Sequence, residues 1–477
     1  MTNYKRTKII ATLGPASNNL DTIMKMINEG VDVCRINFSH GNKQTQSLAV
    51  NTVHSINKTN QTHIALLADL QGPKIRVGEI EYDSLILEND SFITITTKTC
   101  IGNCSKISVD YPRLAQEVKE NDRIMLDDGK LLLKTIKTNK KDEILAKVIH
   151  GGIISSHKGI NLPDTKISQS SLSEKDKIDL DFVMENFFQW IALSFVRSAD
   201  DIIELRNEIS KYKNTKTPLI IAKIEKPEAL DDLDNIIAAS DGIMVARGDL
   251  GIEIPMENVP LIQKMIVKKC LAAAKPIIIA TQMMESMITN FTPTRAEVSD
   301  VANSVMDGAD AVMLSGETSV GKYPVEVIRN VRKIISQVES YEGIFNKSHI
   351  PDPKNAERFI TDSVCNNACT LAEQVNAKAL ISMTHSGYTA IKLSSHRPKS
   401  PIYVFTNNHN LLSKLSLVWG VKGFYYNQFE STNQTVTDVK MFLKDNNYIE
   451  EGDILINLTS MPIIEKGKIN TIRLSTV

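Results

Sequence analysis

The sequence predicts an α/β protein: a (β/α)8 TIM barrel with an inserted small β-barrel lid domain and a C-terminal α/β domain. Three observations support this fold class. Short apolar runs alternate with helical stretches, one long interval between two runs has a β pattern, and the pattern changes again after Tyr341. The length of 477 residues also suits about three domains.

Eight apolar runs supply the predicted barrel strands. Several are near-continuous in Val, Ile, Leu and Ala, as expected of parallel strands covered on both faces. The runs are residues 8–13, 31–38, 64–70, 190–195, 219–224, 242–246, 276–281 and 309–314. Helical patterns lie between them, at residues 20–29, 200–210, 259–274 and 297–307. We expect the barrel to comprise residues 1–72 and 172–345.

The interval between the third and fourth runs predicts a separate domain. It contains short alternating segments at residues 91–97, 106–110, 123–126, 130–138 and 143–150. Turn signals such as Asp127-Asp128-Gly129 separate them. We expect an inserted β domain over residues 73–171. Because two connections would join it to one host, it should hinge as a lid.

The C-terminal part of the chain predicts a third domain. Residues 346–355 are polar and contain two prolines, which is typical of a linker. A predicted helix, strand, helix and strand follow at residues 361–374, 379–383, 388–396 and 402–406. We therefore expect a C-terminal α/β domain over residues 346–477, with a regulatory role.

Composition limits the function classes. The net charge is −1 and the sequence pI is about 6.8, so no global field favours nucleic acid or an anionic membrane. We expect neither as a partner. The N-terminus has no signal-peptide pattern and no apolar stretch suits a membrane span, which predicts a cytoplasmic protein. The six cysteines form no metal-ligand pattern and are expected to be free thiols.

Polar and charged residues follow seven of the eight apolar runs. In such a barrel, reactive groups lie at the carboxyl ends of the strands. The segments concerned are residues 35–41, 69–76, 194–197, 223–225, 246–251, 281–282 and 315–318. Two carboxylates, Glu225 and Asp249, suit Mg²⁺ or Mn²⁺, and the nearby cations suit a phosphorylated substrate. These residues alone predict a metal-dependent enzyme that acts on phosphorylated anions.

No phosphate-binding loop of a known type occurs in the sequence. Neither a Walker loop nor the glycine-rich loop of protein kinases is present. A nucleotide would therefore have to be held by the metal and the rim of the barrel.

Longer motifs resemble the pyruvate kinase family. They are residues 7–17, 35–41, 72–76, 158–163, 224–225, 247–251, 281–287, 293–303 and 313–318. The resemblance covers the barrel densely and the insert thinly, whereas the C-terminal domain matches in layout. It implies a glycolytic phosphotransferase that moves a phosphoryl group from phosphoenolpyruvate to ADP, giving pyruvate and ATP. It also implies Mg²⁺ or Mn²⁺ as cofactor and a homotetramer.

The resemblance implies roles for individual residues in substrate binding. Arg35 and Lys223 would contact the transferring phosphoryl group, and Lys223 would also stabilise the enolate oxygen. Glu225 and Asp249 would bind the divalent metal. Backbone N–H groups of Arg247, Gly248 and Asp249 would hold the substrate carboxylate. Thr281 would assist protonation of the enolate carbon.

Further residues are implied at the rim and in the lid. Ser315 and Glu317 would support the proton relay. Arg76 and Asp128 would belong to the hinge and the lid that close over ADP. Asn37 and His40 would contact the nucleotide, although His40 could instead order its loop.

The monovalent cation site of the family is changed in this sequence. Many members hold K⁺ with Asn, Ser, Asp and Thr, and a Glu follows. Here Asn37, Ser39 and Asp69 match, whereas Leu70 replaces the Thr and Lys74 replaces the Glu. The Lys74 ammonium would supply the missing charge and repel K⁺, so we expect that K⁺ is not required. The alternative is that Lys74 points to solvent and K⁺ still binds.

A turn in the C-terminal domain is a candidate effector site. Its residues follow a predicted strand and open a predicted helix: Thr384, His385, Ser386, Gly387 and Thr389. Hydroxyl and backbone N–H groups in such a turn can bind phosphate, but the turn could also be a simple N-cap. The resemblance implies a phosphorylated allosteric effector. His385 stands where some members have Lys, which weakens the case for fructose bisphosphate.

Two other functions are compatible with parts of the pattern. A metal-dependent barrel lyase or aldolase acting on a phosphoenolpyruvate-like carboxylate would share the metal carboxylates and the Arg. A non-catalytic effector-binding relative should have lost at least one of four residues. All four are present: Lys223, Glu225, Asp249 and Thr281.

Overall fold

The structure is a computed structural model that describes residues 4–213, 216–351, 353, 358–428, 432–460 and 469–477. Part of the linker predicted over residues 346–355 lies outside the described residues. The first barrel segment contains β1 (Lys8–Thr12), α1 (Leu20–Glu29), β2 (Val33–Asn37), α2 (Lys43–Asn60) and β3 (Ala65–Asp69).

The insert follows β3. Its elements are β4 (Ser84–Leu87), β5 (Phe92–Thr96), β6 (Lys106–Ser108), α3 (Leu114–Glu117), β7 (Arg123–Leu126), β8 (Leu131–Thr138), β9 (Glu143–His150), β10 (Gly152–Ser155) and β11 (Ile160–Asn161). A six-stranded sheet has the order β11-β7-β8-β9-β5-β6, and β10 pairs with β4 in a ribbon. The sheet encloses its own apolar core, in which Ile124, Leu133 and Val148 are fully buried. The predicted β insert is thereby confirmed.

The chain then returns to the barrel. The elements are α4 (Glu174–Glu185), β12 (Trp190–Leu193), α5 (Ala199–Ser210), β13 (Leu219–Ile224), α6 (Pro227–Asp231), α7 (Leu233–Ala239), β14 (Gly242–Ala246), α8 (Arg247–Glu253), α9 (Val259–Ala272), β15 (Ile277–Ala280), α10 (Arg295–Asp307), β16 (Ala311–Leu314), α11 (Gly316–Ser319) and α12 (Pro324–Val338).

The eight predicted strands close into a parallel barrel with the order β1-β16-β15-β14-β13-β12-β3-β2. Strands such as β3 and β14 are buried along their whole length, because helices cover the outside of the barrel and side chains fill its interior. Local signals set the helix ends. In α10, Thr294 and Glu297 form a capping box, and Gly308 ends the helix with φ +107°. The predicted barrel is confirmed.

The C-terminal domain is an α/β sheet with helices. Its elements are α13 (Phe359–Gln374), β17 (Ala379–Met383), α14 (Tyr388–Ser395), β18 (Ile402–Thr406), α15 (His409–Leu415), β19 (Val421–Tyr425), α16 (Thr432–Asp445), β20 (Ile454–Thr459) and β21 (Thr471–Thr476). The strand order is β19-β18-β17-β20-β21, and only β21 is antiparallel to its neighbour. Among the helices in the described part of the chain, none is long and apolar enough to cross a membrane.

A buried ion pair joins the C-terminal domain to the barrel. Arg397 donates to Asp310 Oδ2 at 2.8 Å and to the Gly308 carbonyl at 2.7 Å. The backbone N–H of Trp419 donates to the other Asp310 oxygen, and the Trp419 ring lies 4.9 Å from the guanidinium. Because both charged side chains are almost fully buried, each depends on the other for its counter-charge.

Removing the guanidinium should therefore weaken the fold. We expect Arg397→Met to lower the free energy of unfolding by about 3–5 kcal/mol, because Asp310 would be left buried without its counter-charge. Urea unfolding followed by circular dichroism measures this change. The matched control is Lys399→Met, which removes an exposed ion pair with Glu342 and should leave the unfolding midpoint nearly unchanged. Equal midpoints for both variants would contradict the prediction.

Candidate active site

A cavity of about 350 Å³ lies at the carboxyl ends of the barrel strands, beneath the insert. It collects residues from β2, β3, β12, β13, α8 and the insert. The lining consists of Arg35, Asn37, Ser39, His40, Asp69, Gln71, Lys74, Arg76, Asp127, Asp128, His157, Lys158, Gly159, Ser194, Phe195, Lys223, Glu225 and Asp249. Most of the residues predicted from the strand ends therefore share one cavity.

Asp69 pairs with two cations in this cavity. One carboxylate oxygen accepts from Arg35 Nε at 2.7 Å, and the other lies 3.2 Å from Lys223 Nζ. Arg35 also donates to Thr12 Oγ1 at 2.9 Å. Burial opposes ionisation of Asp69, but the two cations hold the pKa of its carboxyl below the usual range. Arg35 and Lys223 are thereby fixed side by side.

Lys223 and Glu225 form a second buried ion pair. Lys223 Nζ lies 2.9 Å from Glu225 Oε1 and donates to Ser194 Oγ at 2.8 Å. Burial alone would lower the pKa of Lys223, but Asp69, Glu225 and Asp249 together raise it above its ordinary value. Lys223 is therefore a firmly protonated cation.

Glu225 is suited to hold a cation of its own. Burial raises the pKa of its carboxyl, and the negative charge of Asp249 raises it further, whereas Lys223 and a hydrogen bond from the Phe195 N–H oppose this. Two carboxylates that repel each other beside open cavity space fit a hard divalent cation. Within the described ranges no group of three or more His, Cys, Asp or Glu could hold a metal. Any metal here would need substrate or water oxygens to complete its ligand set.

Thr281 lies beside α8, which carries Asp249. Its hydroxyl accepts from the Gly248 N–H at 2.7 Å and donates to the Ala280 carbonyl at 2.6 Å. Thr281 has φ +69°, an unusual backbone conformation for a β-branched residue. Such strain is common at functional sites, where it fixes one side-chain position.

The side chains of two predicted residues support the rim. The Arg247 side chain forms a bidentate ion pair with Asp300 and donates to the Thr281 carbonyl at 2.9 Å. The Glu317 oxygens accept from the backbone N–H groups of Met284 and Ser315. The side chains of Arg247 and Glu317 are therefore engaged in shaping the strand-end loops.

The insert contributes cations and carboxylates to the cavity. Arg76 donates to the His157 carbonyl at 3.0 Å, and Lys74 Nζ lies 3.9 Å from Asp128. On the barrel side, burial and the nearby cations Arg76, Lys74 and Arg35 lower the pKa of His40. Burial and these cations therefore both disfavour a positive charge on His40.

Of the residues at the family's monovalent cation site, some line the cavity and one lies in the apolar core. Asn37 and Ser39 line the cavity, and Asn37 Oδ1 accepts from the Ser39 N–H. The Leu70 side chain is 1% exposed and belongs to the apolar core, and its carbonyl accepts from Ser194 Oγ. Lys74 lines the same cavity as Asn37 and Ser39.

The candidate effector residues form a tight turn between β17 and α14. Thr384 Oγ1 accepts from the Gly387 N–H at 2.9 Å, and Gly387 has φ +85°. Thr384 and Thr389 are buried, whereas His385 and Ser386 are exposed. The Thr384 hydroxyl thus stabilises the turn, and the exposed pair faces solvent.

Sequence reasoning assigned no individual role to several residues of the cavity. Ser194 and Phe195 follow β12 and contact Lys223 and Glu225. In the insert, Asp127 is almost fully buried and pairs with Lys158 at 2.9 Å. The strand-end position of Ser194 and the turn containing Asp127 were available signals, but their partners depend on the three-dimensional register.

Comparison with known proteins agrees with this geometry. The family model described as "Pyruvate kinase, barrel domain" matches residues 4–328, and the one described as "Pyruvate kinase, alpha/beta domain" matches residues 362–475. A pyruvate kinase from Corynebacterium glutamicum is 41% identical over 468 residues, covering 98% of this chain and 97% of the relative. One from Mycobacterium intracellulare is 39% identical over 473 residues, covering 99% of this chain and 98% of the relative.

Solved structures agree as well. The crystal structure of a pyruvate kinase from Cryptosporidium parvum superposes with a TM-score of 0.92 at 33% sequence identity, covering 99% of this chain and 96% of that chain. The chain therefore belongs to the pyruvate kinase family and is a phosphotransferase that moves a phosphoryl group from phosphoenolpyruvate to ADP.

Proposed function

We propose that the cavity at the strand ends is the active site and that Arg35 and Lys223 hold the phosphoryl group of phosphoenolpyruvate. The observation that carries this proposal is the pairing of both cations with the single buried carboxylate of Asp69. An anionic substrate meets two positive charges that are already positioned, so little reorganisation is needed when it binds.

The reaction requires stabilisation of the negative charge that develops on the enolate oxygen. A terminal oxygen of ADP forms a bond to phosphorus, and the bond from phosphorus to the enolate oxygen breaks. The Lys223 ammonium stabilises the negative charge that develops on that oxygen. The enolate carbon then takes a proton, and Thr281 assists through its hydroxyl and a water molecule. Ser315 and Glu317 support this relay by holding the loop at the end of β16.

Glu225 and Asp249 would hold Mg²⁺ or Mn²⁺. The raised pKa of the Glu225 carboxyl and the repulsion from Asp249 support this assignment, because a divalent cation relieves both. When bound, the metal supplies positive charge to the substrate oxygens. The backbone of residues 247–249 lies next to these carboxylates and would contact the substrate carboxylate.

The nucleotide would bind between the barrel rim and the insert. Arg76, His40, Asn37 and Asp128 all line the shared cavity, which supports this assignment. With its lowered pKa, His40 is neutral near pH 7 and can serve as a hydrogen-bonding group. Arg76 would face the phosphates.

We propose that the enzyme does not require K⁺. Lys74 lines the cavity with Asn37 and Ser39, and the side chain of Leu70 is in the core instead of offering an oxygen. An ammonium close to this site would take the place of the monovalent cation and repel it.

The finer properties of the family are also proposals for this chain. The exposed His385 and Ser386 at the turn before α14 support a phosphorylated effector other than fructose bisphosphate. All six cysteines are free thiols, which supports a reducing cytoplasmic location. The proposal that the protein forms a homotetramer is based on the family resemblance. The alternative of a barrel lyase or aldolase is not favoured, because the pyruvate kinase models match both the barrel and the C-terminal domain.

A coupled assay of pyruvate formation from phosphoenolpyruvate and ADP tests the site. We expect Lys223→Met to lower kcat by roughly several hundredfold and to change substrate affinity little, because Lys223 acts mainly on charge that develops in the transition state. The control is Lys25→Met, which removes an exposed ion pair on α1 and should leave turnover unchanged. Near-normal turnover of Lys223→Met would remove this residue from the mechanism.

The assignment of Lys74 predicts the response to monovalent cations. Replacing K⁺ with a large quaternary ammonium ion should change turnover by less than about twofold. Lys74→Glu should create a dependence on K⁺, whereas Lys98→Glu, at an exposed position of the insert, should not. The measurement is turnover as a function of K⁺ concentration at constant ionic strength. Strong activation of the unmodified enzyme by K⁺ would contradict the proposal.

A further inference from the structure

A second polar network connects the insert to the barrel, away from the ion pairs around Asp69. Asn161 Nδ2 donates to Glu253 Oε1 at 2.9 Å, and Lys226 Nζ donates to the same oxygen at 2.6 Å. Asn161 belongs to the insert, whereas Glu253 and Lys226 belong to the barrel. All three residues are buried: Asn161 is 7% exposed, Glu253 is 3% exposed and Lys226 is 8% exposed.

The charges in this network explain how the contact can open. A buried carboxylate without a counter-charge is costly, and Lys226 supplies that charge from within the barrel. Asn161 adds a neutral hydrogen bond, so its departure would leave Glu253 still paired. Glu253 Oε2 is buried and has no hydrogen-bond partner among the described residues, so neither the barrel nor the insert saturates the carboxylate. Glu253 of the barrel thus remains an acceptor to which Asn161 of the insert can form or break a hydrogen bond.

On the barrel side, the network is next to the proposed metal carboxylates. Lys226 directly follows Glu225. Glu253 is the last residue of α8 and lies one helical turn after Asp249. Lys226 and Glu253 therefore tie together the two segments that carry these carboxylates.

On the insert side, the network is next to the nucleotide-facing turn. Asn161 pairs with Met125 of β7, and β7 leads into the turn that carries Asp128. The following residue, Gly129, faces Ile252, which precedes Glu253 in α8. When Asn161 contacts Glu253, this turn is held against α8 and Asp128 lines the cavity.

The predicted hinge lies close to the same network, with the Phe195 ring between them. Lys226 Nζ lies 6.0 Å from the centroid of the Phe195 ring. That ring leaves no space for a side chain at Gly72, where a Cβ would lie 2.8 Å from a ring carbon. Gly72 immediately precedes the insert and has φ +69°. The contact, the hinge and the metal carboxylates thus form one packed unit.

We propose that Asn161, Glu253 and Lys226 form a latch that holds the insert over the active site, with Asn161 as the positioning residue that sets nucleotide affinity. The latch rests on the proposed binding of ADP between the rim and the insert. Releasing it shifts the insert away from the barrel, so that ADP must bind and close the insert at the same time. The apparent affinity for ADP then falls in proportion to the fraction of molecules in which the insert is closed.

The test is the variant Asn161→Ala in the full-length enzyme. We expect the KM for ADP to rise by roughly tenfold, since one hydrogen bond to a charged acceptor is lost. The KM for phosphoenolpyruvate should change by less than about twofold, because Arg35, Lys223 and Asp69 are untouched. The matched control is Asn139→Ala: Asn139 bonds only within its own hairpin of the insert among the contacts described, and both KM values should remain unchanged.

Hydrogen exchange distinguishes a latch from a general loss of structure. In Asn161→Ala, backbone amides of residues 126–129 and 159–162 should exchange faster, while those of β8 and β9 in the core of the insert keep their rates. Faster exchange throughout β8 and β9 would mean that Asn161 only stabilises the insert, and this would overturn the latch.

Two kinetic results would also overturn the latch: an unchanged KM for ADP, or an equal rise in the KM for both substrates. Failure of the underlying site assignment has a different signature. It would appear as an unchanged KM for ADP in Arg76→Met, since Arg76 is proposed to face the ADP phosphates, and hydrogen exchange would then decide on the latch without reference to turnover.

Discussion

The buried carboxylate of Asp69 is the constraint on which the site depends. Arg35 and Lys223 repel each other, and neither could be buried at the floor of the cavity without a counter-charge. Asp69 ends β3, between β2 and β12 in the barrel, and Asn37 of β2 is in register with it. The order of the strands therefore places one anion between two cations. The side chains stay fixed because each has its partner on a neighbouring part of a closed barrel.

Charge balance explains why the remaining groups are arranged around this core. The two cations and the three carboxylates of Asp69, Glu225 and Asp249 sum to a formal charge of −1. A divalent cation bound by Glu225 and Asp249 would change this sum to +1, which favours an anionic substrate. Metal and anionic substrate are therefore expected to bind in a mutually dependent way.

The sequence predicts the elements better than their partners. Continuous apolar runs predict the barrel strands, because parallel strands covered on both faces expose no face to solvent. The residues at the strand ends predict most of the cavity. Short strands such as β4 and β11 are too brief for a periodic signal. Pairs such as Arg397 with Asp310, or Asn161 with Glu253, are 87 and 92 residues apart and depend on how domains meet. Arg247 is predicted to bind substrate through its backbone N–H, and the pairing of its side chain with Asp300 was not predicted. The domain boundaries and the site roles stay predictions.

The short helix α8 joins the parts of the molecule that must act together. At its start, the Gly248 N–H holds the Thr281 hydroxyl. Asp249 lies on the cavity, and Glu253 at its end receives Lys226 and the insert. Because α8 has only seven residues, a displacement of Glu253 in the proposed latch is expected to reach Asp249 and Gly248. Closure of the insert would therefore also affect the positions of Thr281 and of Asp249, a proposed metal ligand.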